Sequence, residues 1–425
     1  MSTPEVPTTQ TLHSAKRKPV SKQKALPFLI VITLLNTMGL TIVNPVLPFL
    51  TLRHLSDPRQ LAVVVALLTS SYAICQMIAA PGLGLLSDRF GRRPILFICL
   101  LGSAIGYLLF GLGNSLWLLF LSRIIDGLTG GNISVLFGYV ADISEPEERG
   151  KYFGMLGGAS GVGSFIGPAV GGLLAAINYS TPFLVAAGVT LLAVAWNYFF
   201  LPESLGKEHR ATTIRLRDLN PLKQLSNVAR LTSLRWLFLS LFFYYFPFAV
   251  LLTTLTILMK DSLGWNATQA GIIATTVGIT DILVQGVLVG RLIAILGSIA
   301  LSITALTLIA ISYLLIGSIA LVASPILLIL GVILFAGSGG LVENALRGLI
   351  SRMVGPSEQG RVSGASQSMQ SLAFILGPLI GGLVYTQVGH FQTYGFSAII
   401  IILAIIPIVL AIPSLRVHKI KKDAS

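Results

Sequence analysis

The chemistry open to this sequence rests on a few ionisable side chains set inside long apolar runs. Asp281 lies within residues 267–289, and no basic residue stands three or four positions to either side. It sits about 12 Å from the nearer end of that run, at ~1.5 Å per residue. Charges inside a membrane are costly and mark function by default, and a carboxyl with no cation beside it is free to exchange a proton. Gln285 falls one turn away on the same face, able to bond Asp281 or a ligand. The plainer alternative is a protonated Asp281 bonded to a neighbouring helix. Arg123 and Asp126, three apart on one helix face, read equally as a functional pair of intramembrane charges or as an internal tether. Glu343 and Arg347, four apart and nearer the membrane surface, read as a structural ion pair, with Glu343 kept as a further proton-coupling candidate.

Polar and aromatic groups inside the runs are candidates to line a cavity: Asn36, Gln76, Asn132, Tyr244, Tyr245, Gln285, Gln367 and Gln370. Such groups also serve as glue between helices. The cluster Phe243-Tyr244-Tyr245-Phe246 suits a flat apolar ligand and lipid alike. The sequence has no Gly-x-x-x-x-Gly-Lys-Ser/Thr loop for ATP phosphates and no His/Cys/acid cluster with metal-ligand spacing. No serine has a paired base. No enzyme, cofactor or metal is expected.

The elements that must position these residues follow from composition. Hydrophobic residues make up 54% of the 425 and charged ones 11%, with a mean hydropathy of +0.84. Apolar runs of about twenty residues recur, the pattern of an all-α polytopic membrane protein. Twelve spans are expected near 26–50, 60–86, 94–113, 115–141, 151–176, 181–201, 236–258, 267–289, 299–317, 325–350, 362–385 and 394–413. The net charge of +13 does not call for nucleic acid, because the basic residues fall in alternate loops. The N-terminal tail, 87–93, 142–150, 202–235, 290–298, 351–361 and the C-terminal tail are then cytoplasmic; the other loops hold only Arg53, Arg59 and Lys260 as basic residues. Both termini are expected inside, at a plasma (inner) membrane. Residues 1–24, with Lys16, Arg17, Lys18, Lys22 and Lys24, read as a solvated tail rather than a secretory signal. Cys75 and Cys99 fall in apolar runs and offer no disulfide framework.

The Arg-, Lys-, Pro- and Ser-rich linker 202–235 divides the chain into bundles 25–201 and 236–413, followed by a tail at 414–425. A repeat supports the division. Gly167-Pro168-Ala-Val-Gly171-Gly172 recurs as Gly377-Pro378-Leu-Ile-Gly381-Gly382. The same offset maps Gly130, Pro146, Glu148, Gly150 and Gly154 onto Gly340, Pro356, Glu358, Gly360 and Gly364. Gly84 and Gly91 have counterparts in Gly290 and Gly297, where Ala294 replaces Asp88 and Ser298 replaces Arg92. Two related six-helix bundles around a central site are what alternating access needs.

Between the second and third spans runs Gly84-Leu-Leu-Ser-Asp88-Arg89-Phe-Gly91-Arg92-Arg93-Pro94. Its glycines permit a tight bend, Asp88 can cap a helix N-terminus, and the arginines hold an anionic membrane face. This stretch resembles the signature loop of the major facilitator superfamily. The glycine-crowded fifth span, with Gly163, Gly167, Pro168, Gly171 and Gly172, resembles the motif of its drug:proton antiporters, as does Gly39-Leu-Thr-Ile-Val-Asn44-Pro45 in the first span. Across 26–205 the chain is similar to bacterial tetracycline-resistance and multidrug exporters. The resemblance implies a major facilitator fold of two pseudo-symmetric six-helix bundles. It further implies that Asp88 faces the start of helix eleven, that Arg92 pairs with Asp142, and that the loop with these residues latches the outward-open state. Arg123-x-x-x-Gly127 resembles a fourth-helix motif linked to proton transfer. The tetracycline exporters carry acids at the positions of Asn36 and Gly106, another acid in the ninth span, and a histidine at the position of Asp281; this chain departs from all four.

The expected function is monomeric, proton-coupled export of a small amphipathic compound across the bilayer. The alternatives are a facilitator or proton symporter of a polar metabolite, and a receptor or scaffold that moves nothing.

Overall fold

Lipid offers no partner for backbone N–H and C=O groups, so apolar runs of this length have to fold as helices. The structure, a computed structural model, describes residues 22–145, 148–206, 208, 210, 234–354 and 358–413; all regular structure among them is helical. The tails, most of the linker, Pro146 and Pro356 lie outside the described residues.

In the first half, α1 (Lys22–Ile42) ends eight residues earlier than expected, at the turn before Asn44-Pro45, and a short α2 (Leu47–Leu52) follows. After a single 3-10 turn come α3 (Leu61–Phe90) and α4 (Arg92–Leu112). The expected fourth span is two helices, α5 (Leu116–Thr129) and α6 (Asn132–Ile143), parted at Gly130 and Gly131. Then follow α7 (Arg149–Ala175) and α8 (Thr181–Phe200). The second half holds α9 (Arg235–Leu263), α10 (Ala267–Leu283), a π-helical turn Val284–Leu288, α11 (Val289–Ser318), α12 (Pro325–Arg352), α13 (Gln359–Gln387) and α14 (His390–Leu403). Residues 405–413 continue the last span.

Eleven helical stretches among the described residues are long and apolar enough to cross a membrane, one fewer than expected. The difference is the stretch Ala267–Ser318, 52 residues that merge the expected eighth and ninth spans. At ~1.5 Å per residue it is more than twice as long as a bilayer core of ~30 Å is thick. It breaks at Gly297, whose φ of 74° and ψ of 158° are not helical, so it crosses twice. Gly91 has φ 108° and ψ 154° between α3 and α4. The loops expected at 87–93 and 290–298 are therefore mostly helix, each interrupted by one glycine.

The packing repeats as the sequence does. In the first half α1 lies on α7, α4 on α8, and α5 against both α3 and α4; in the second, α9 lies on α13, α11 on α14, and α12 against both α10 and α11. The two halves meet through α7 with α10 and α3 with α13. Side-chain hydroxyls turn back onto their own helices, as Thr33 does to Leu29 O at 2.7 Å and Thr254 to Val250 O at 2.9 Å, which satisfies them inside the protein.

Candidate functional site

The basic end of the first half is built around Arg92. The chain reverses at Gly91, which leaves the first N–H groups of α4 without helical partners. Glu203 supplies them: its Oε1 accepts from Arg92 N at 2.9 Å and its Oε2 from Arg93 N at 3.3 Å. The Arg92 guanidinium, almost buried, reaches Asp88 Oδ1 at 2.6 Å, Asp142 Oδ2 at 3.1 Å and Ser87 Oγ at 2.6 Å. Ser204 donates to the same Asp142 oxygen at 3.0 Å. Arg93 bonds Tyr198 O, while Arg89 lies over the Phe90 ring. Gly84 O accepts from Ser87 Oγ at 2.6 Å. Asp88 thus differs from expectation twice. It caps no helix, since Glu203 takes that place, and among the described residues it contacts Arg92 rather than the start of α13. Among the described residues the cluster draws on the first half and on Glu203 and Ser204 at the start of the linker, so here it braces α3, α4, α6 and the chain just after α8.

Deeper in that half, Arg123 Nη1 stands 3.5 Å from Asp126 Oδ2, and Asp126 is fully buried. The guanidinium carbon lies 4.8 Å from the Phe110 ring centre and 5.9 Å from that of Tyr72, a cation–π setting. Gly106 packs directly on this pair: a Cβ there would stand 2.9 Å from Asp126 Cβ. Asn132, the first residue of α6, donates to Asn36 Oδ1 at 2.6 Å. Gln76 donates to Gly130 O at 3.0 Å, satisfying a carbonyl freed by the break between α5 and α6. The Asn36–Asn132 and Gln76–Gly130 bonds hold helices together in this conformation, whereas the Arg123–Asp126 pair lies within α5.

In the second half, Gln285 Nε2 donates to Asp281 Oδ2 at 2.8 Å. Asn344 Nδ2 reaches Gln285 Oε1 at 3.4 Å and Gly340 O at 2.7 Å. Glu343 pairs with Arg347 at 3.0 Å, and Arg347 donates to Tyr245 OH at 3.0 Å. Tyr244 donates to Gly339 O at 3.1 Å. Both tyrosines are covered by protein, so neither offers a face to ligand or lipid here. Gln367 is exposed and Gln370 half-buried on α13. Glu203 and Asn344 escaped the sequence analysis. The one falls at the start of an apparent linker, although an acid just after Pro202 at the end of an apolar run is a signal. The other neighbours Glu343 without a charge of its own.

The glycines fix how the halves sit. Gly163 and Gly167 pack on the α1 backbone, their Cβ positions 2.7 Å from Leu34 O and 2.8 Å from Met38 O; Gly171 meets Ile42 O. Of the resembled motif, Gly172 and the Pro168 carbonyl face the other half: a Cβ on Gly172 would stand 2.9 Å from Gly271 Cα, one on Gly271 would stand 2.8 Å from Pro168 O, and Gly172 O accepts from Thr268 Oγ1 at 2.8 Å. Its repeat mate Gly382 meets Ala62 O of α3 at 2.8 Å, and Ser70 donates to Ile375 O at 2.9 Å. Along α7 and α10 the contact reaches Phe165 and Gly278. Beyond it, Gly150, Gly154, Gly157, Gly158 and Gly161 on α7, and Gly286 and Gly290 past α10, have open space where a Cβ would be. The halves are sealed at the end away from Arg92 and part toward it, with Asp281 one turn past the Phe165–Gly278 contact.

Similarity to known proteins agrees with this architecture. The family model described as Major Facilitator Superfamily matches residues 29–246 and 237–424. Tetracycline resistance protein, class C, of Escherichia coli is 32% identical over 351 residues, 83% of this chain and 87% of that one. Multidrug resistance protein 2 of Bacillus subtilis (strain 168) is 28% identical over 380 residues, 88% and 92% of the two chains. The crystal structure of the human organic anion transporter MFSD10 (TETRAN) superposes with a TM-score of 0.71 at 26% identity, over 91% of this chain and 99% of that one. With two six-helix units, a glycine-reversed Arg92 loop and this kinship to membrane transporters rather than enzymes, the chain belongs to the Major Facilitator Superfamily.

Proposed function

We propose that the protein exports small amphipathic compounds in exchange for protons by alternating access. Residues 25–201 and 236–413 act as the two halves, both termini face the cytoplasm, and a single chain suffices. The place of Asp281 carries this reading. Its carboxyl stands where the two halves begin to part, and its one polar side-chain partner among the described residues is the neutral Gln285. With the cleft open inward, Asp281 releases its proton as substrate binds; with the cleft open outward, substrate leaves and a proton returns. Asp126, with Arg123 beside it as the coupling charge, and Glu343 are the next carriers in line. The latch, with Arg92 paired to Asp142, steadies the first half while the seam opens and closes. Relatives named for tetracycline and multidrug resistance support the drug-like substrate.

The test is proton release from the purified, detergent-solubilised protein when a panel of amphipathic drugs is added, beside Asp281→Asn. Release that vanishes in the variant supports the reading. Release that survives moves the carrier to Asp126 or Glu343, and binding without release refutes exchange. A second reading, transport of organic anions, has its support in the MFSD10 likeness and in neutral Asn36, bonded to Asn132. Organic anions belong in the same panel, and binding by them alone decides for it.

A further inference from the structure

We propose that Asn344 is a positioning residue that sets the proton affinity of Asp281 through Gln285. This rests on Asp281 being the proton carrier. An ionised carboxylate only accepts hydrogen bonds, so Gln285 must turn its amine toward Asp281, as it does at 2.8 Å. That leaves Gln285 Oε1 facing α12, where Asn344 Nδ2 donates to it at 3.4 Å. The same Asn344 amine donates to Gly340 O at 2.7 Å, which fixes Asn344 as the donor. Glycine at 340 lets α12 approach, because a Cβ there would stand 3.0 Å from Asp281 Oδ1 and 2.7 Å from Gln285 Cγ.

A proton on Asp281 Oδ2 makes that atom a donor. Gln285 must then present its carbonyl, which sets its amine against the amine of Asn344. A proton on Oδ1 leaves the Gln285 bond to Oδ2 in place but weakens it, because a neutral carboxyl is a poorer acceptor than a carboxylate. The strap from Asn344 therefore favours the ionised carboxylate, most strongly against protonation at Oδ2. The other ionisable groups nearby are already engaged. Glu343 and Arg347 of α12 pair at 3.0 Å, and the α9 hydroxyls of Tyr244 and Tyr245 bond Gly339 O and Arg347. On α7, Phe165 packs against α10 beside this site, and the charged Arg149 and Lys151 stand at the far end of that helix. The site sits beside the π-helical turn Val284–Leu288, and Gln285 is part of that turn, a feature frequent at functional positions.

The test needs no ligand. In the full chain reconstituted in lipid, the infrared carboxyl band that disappears in Asp281→Asn reports the protonation of Asp281. In Asn344→Leu, the pH midpoint of that band rises by about half a unit or more, roughly a threefold gain in proton affinity. Gln285→Leu, which removes the direct donor, shifts it at least as far. Asn344 is exposed, and the melting temperatures of these variants verify the fold. Coincident midpoints in wild type and Asn344→Leu overturn the proposal and leave the role of Asp281 standing. If no band is lost in Asp281→Asn, the assignment of the carrier fails first and this inference with it.

Discussion

Glu203 holds the start of α4 with two hydrogen bonds to backbone N–H groups, and a carboxylate there also meets the positive end of the helix dipole. Such caps contribute about 1–2 kcal/mol. Glu203→Ala is expected to lower the unfolding free energy in detergent by that much, read as a lower midpoint, and Glu203→Gln, which keeps one acceptor, by less. An equal midpoint for wild type and Glu203→Ala would show that the bonds to Arg92 and Arg93 contribute nothing net. Arg92 offers a sharper case, since its guanidinium serves two carboxylates and a hydroxyl and packs against Gly138. Arg92→Leu leaves Asp142 without its partner inside the protein, a loss of about 3 kcal/mol for a pair so little exposed. Replacing Asp142 by Leu as well should recover part of that loss, because it removes the stranded charge. A double variant less stable than Arg92→Leu would refute the account. The Arg92–Asp142 pairing was legible from the sequence because it recurs in a recognisable loop. The cap was not, because nothing in a linear sequence ties Glu203 to a helix that starts 111 positions earlier.

At the scale of elements, Gly91 and Gly297 occupy the same backbone region, with φ of 108° and 74° and ψ near 155° at both. Only glycine adopts that region without strain, which costs other residues about 1–3 kcal/mol. The surroundings differ. A Cβ at Gly91 would also collide with the Glu203 carboxylate, whereas at Gly297 it meets nothing within 4 Å. Gly297→Ala should therefore show the backbone cost alone, and Gly91→Ala that cost plus the loss of the Glu203 cap. Equal unfolding midpoints for the two alanine variants would contradict this. The sequence repeat already matched these glycines. It could not reveal that helix runs up to each of them, because charged and apolar residues alike continue a helix until the backbone must reverse. Nor did it locate the break at Gly130 and Gly131 inside the fourth span, since the apolar pattern passes through it. The glycine-crowded fifth span was plain in the sequence. Which glycine faced α1 and which the other half depends on helix rotation, fixed only when α1 and α10 are both in place.

For the whole molecule, the seal between the halves is made where backbones touch: Gly172 against Gly271, and Gly382 against Ala62. These are repeat-related positions, each set against the other half, so the seal has two near-equivalent seams. Neither seam tolerates a side chain without moving a helix, since the atoms met are backbone or the Ala66 Cβ rather than flexible side-chain ends. Gly172→Leu is therefore expected to wedge α7 from α10 and shift the population toward a molecule open at that end. Spin labels at Ser56→Cys and Gln387→Cys, both exposed and on opposite halves, report the separation once Cys75 and Cys99 are replaced. The distance distribution should move to longer values in Gly172→Leu and in Gly382→Leu, since either seam limits the approach of two rigid bundles. Gly188→Leu is the control, because α8 has open space at that position and its distribution should match the parent. A distribution unmoved by Gly172→Leu would mean that α7 and α10 part and rejoin without this contact, and the seal would then have to lie in the α3–α13 seam alone.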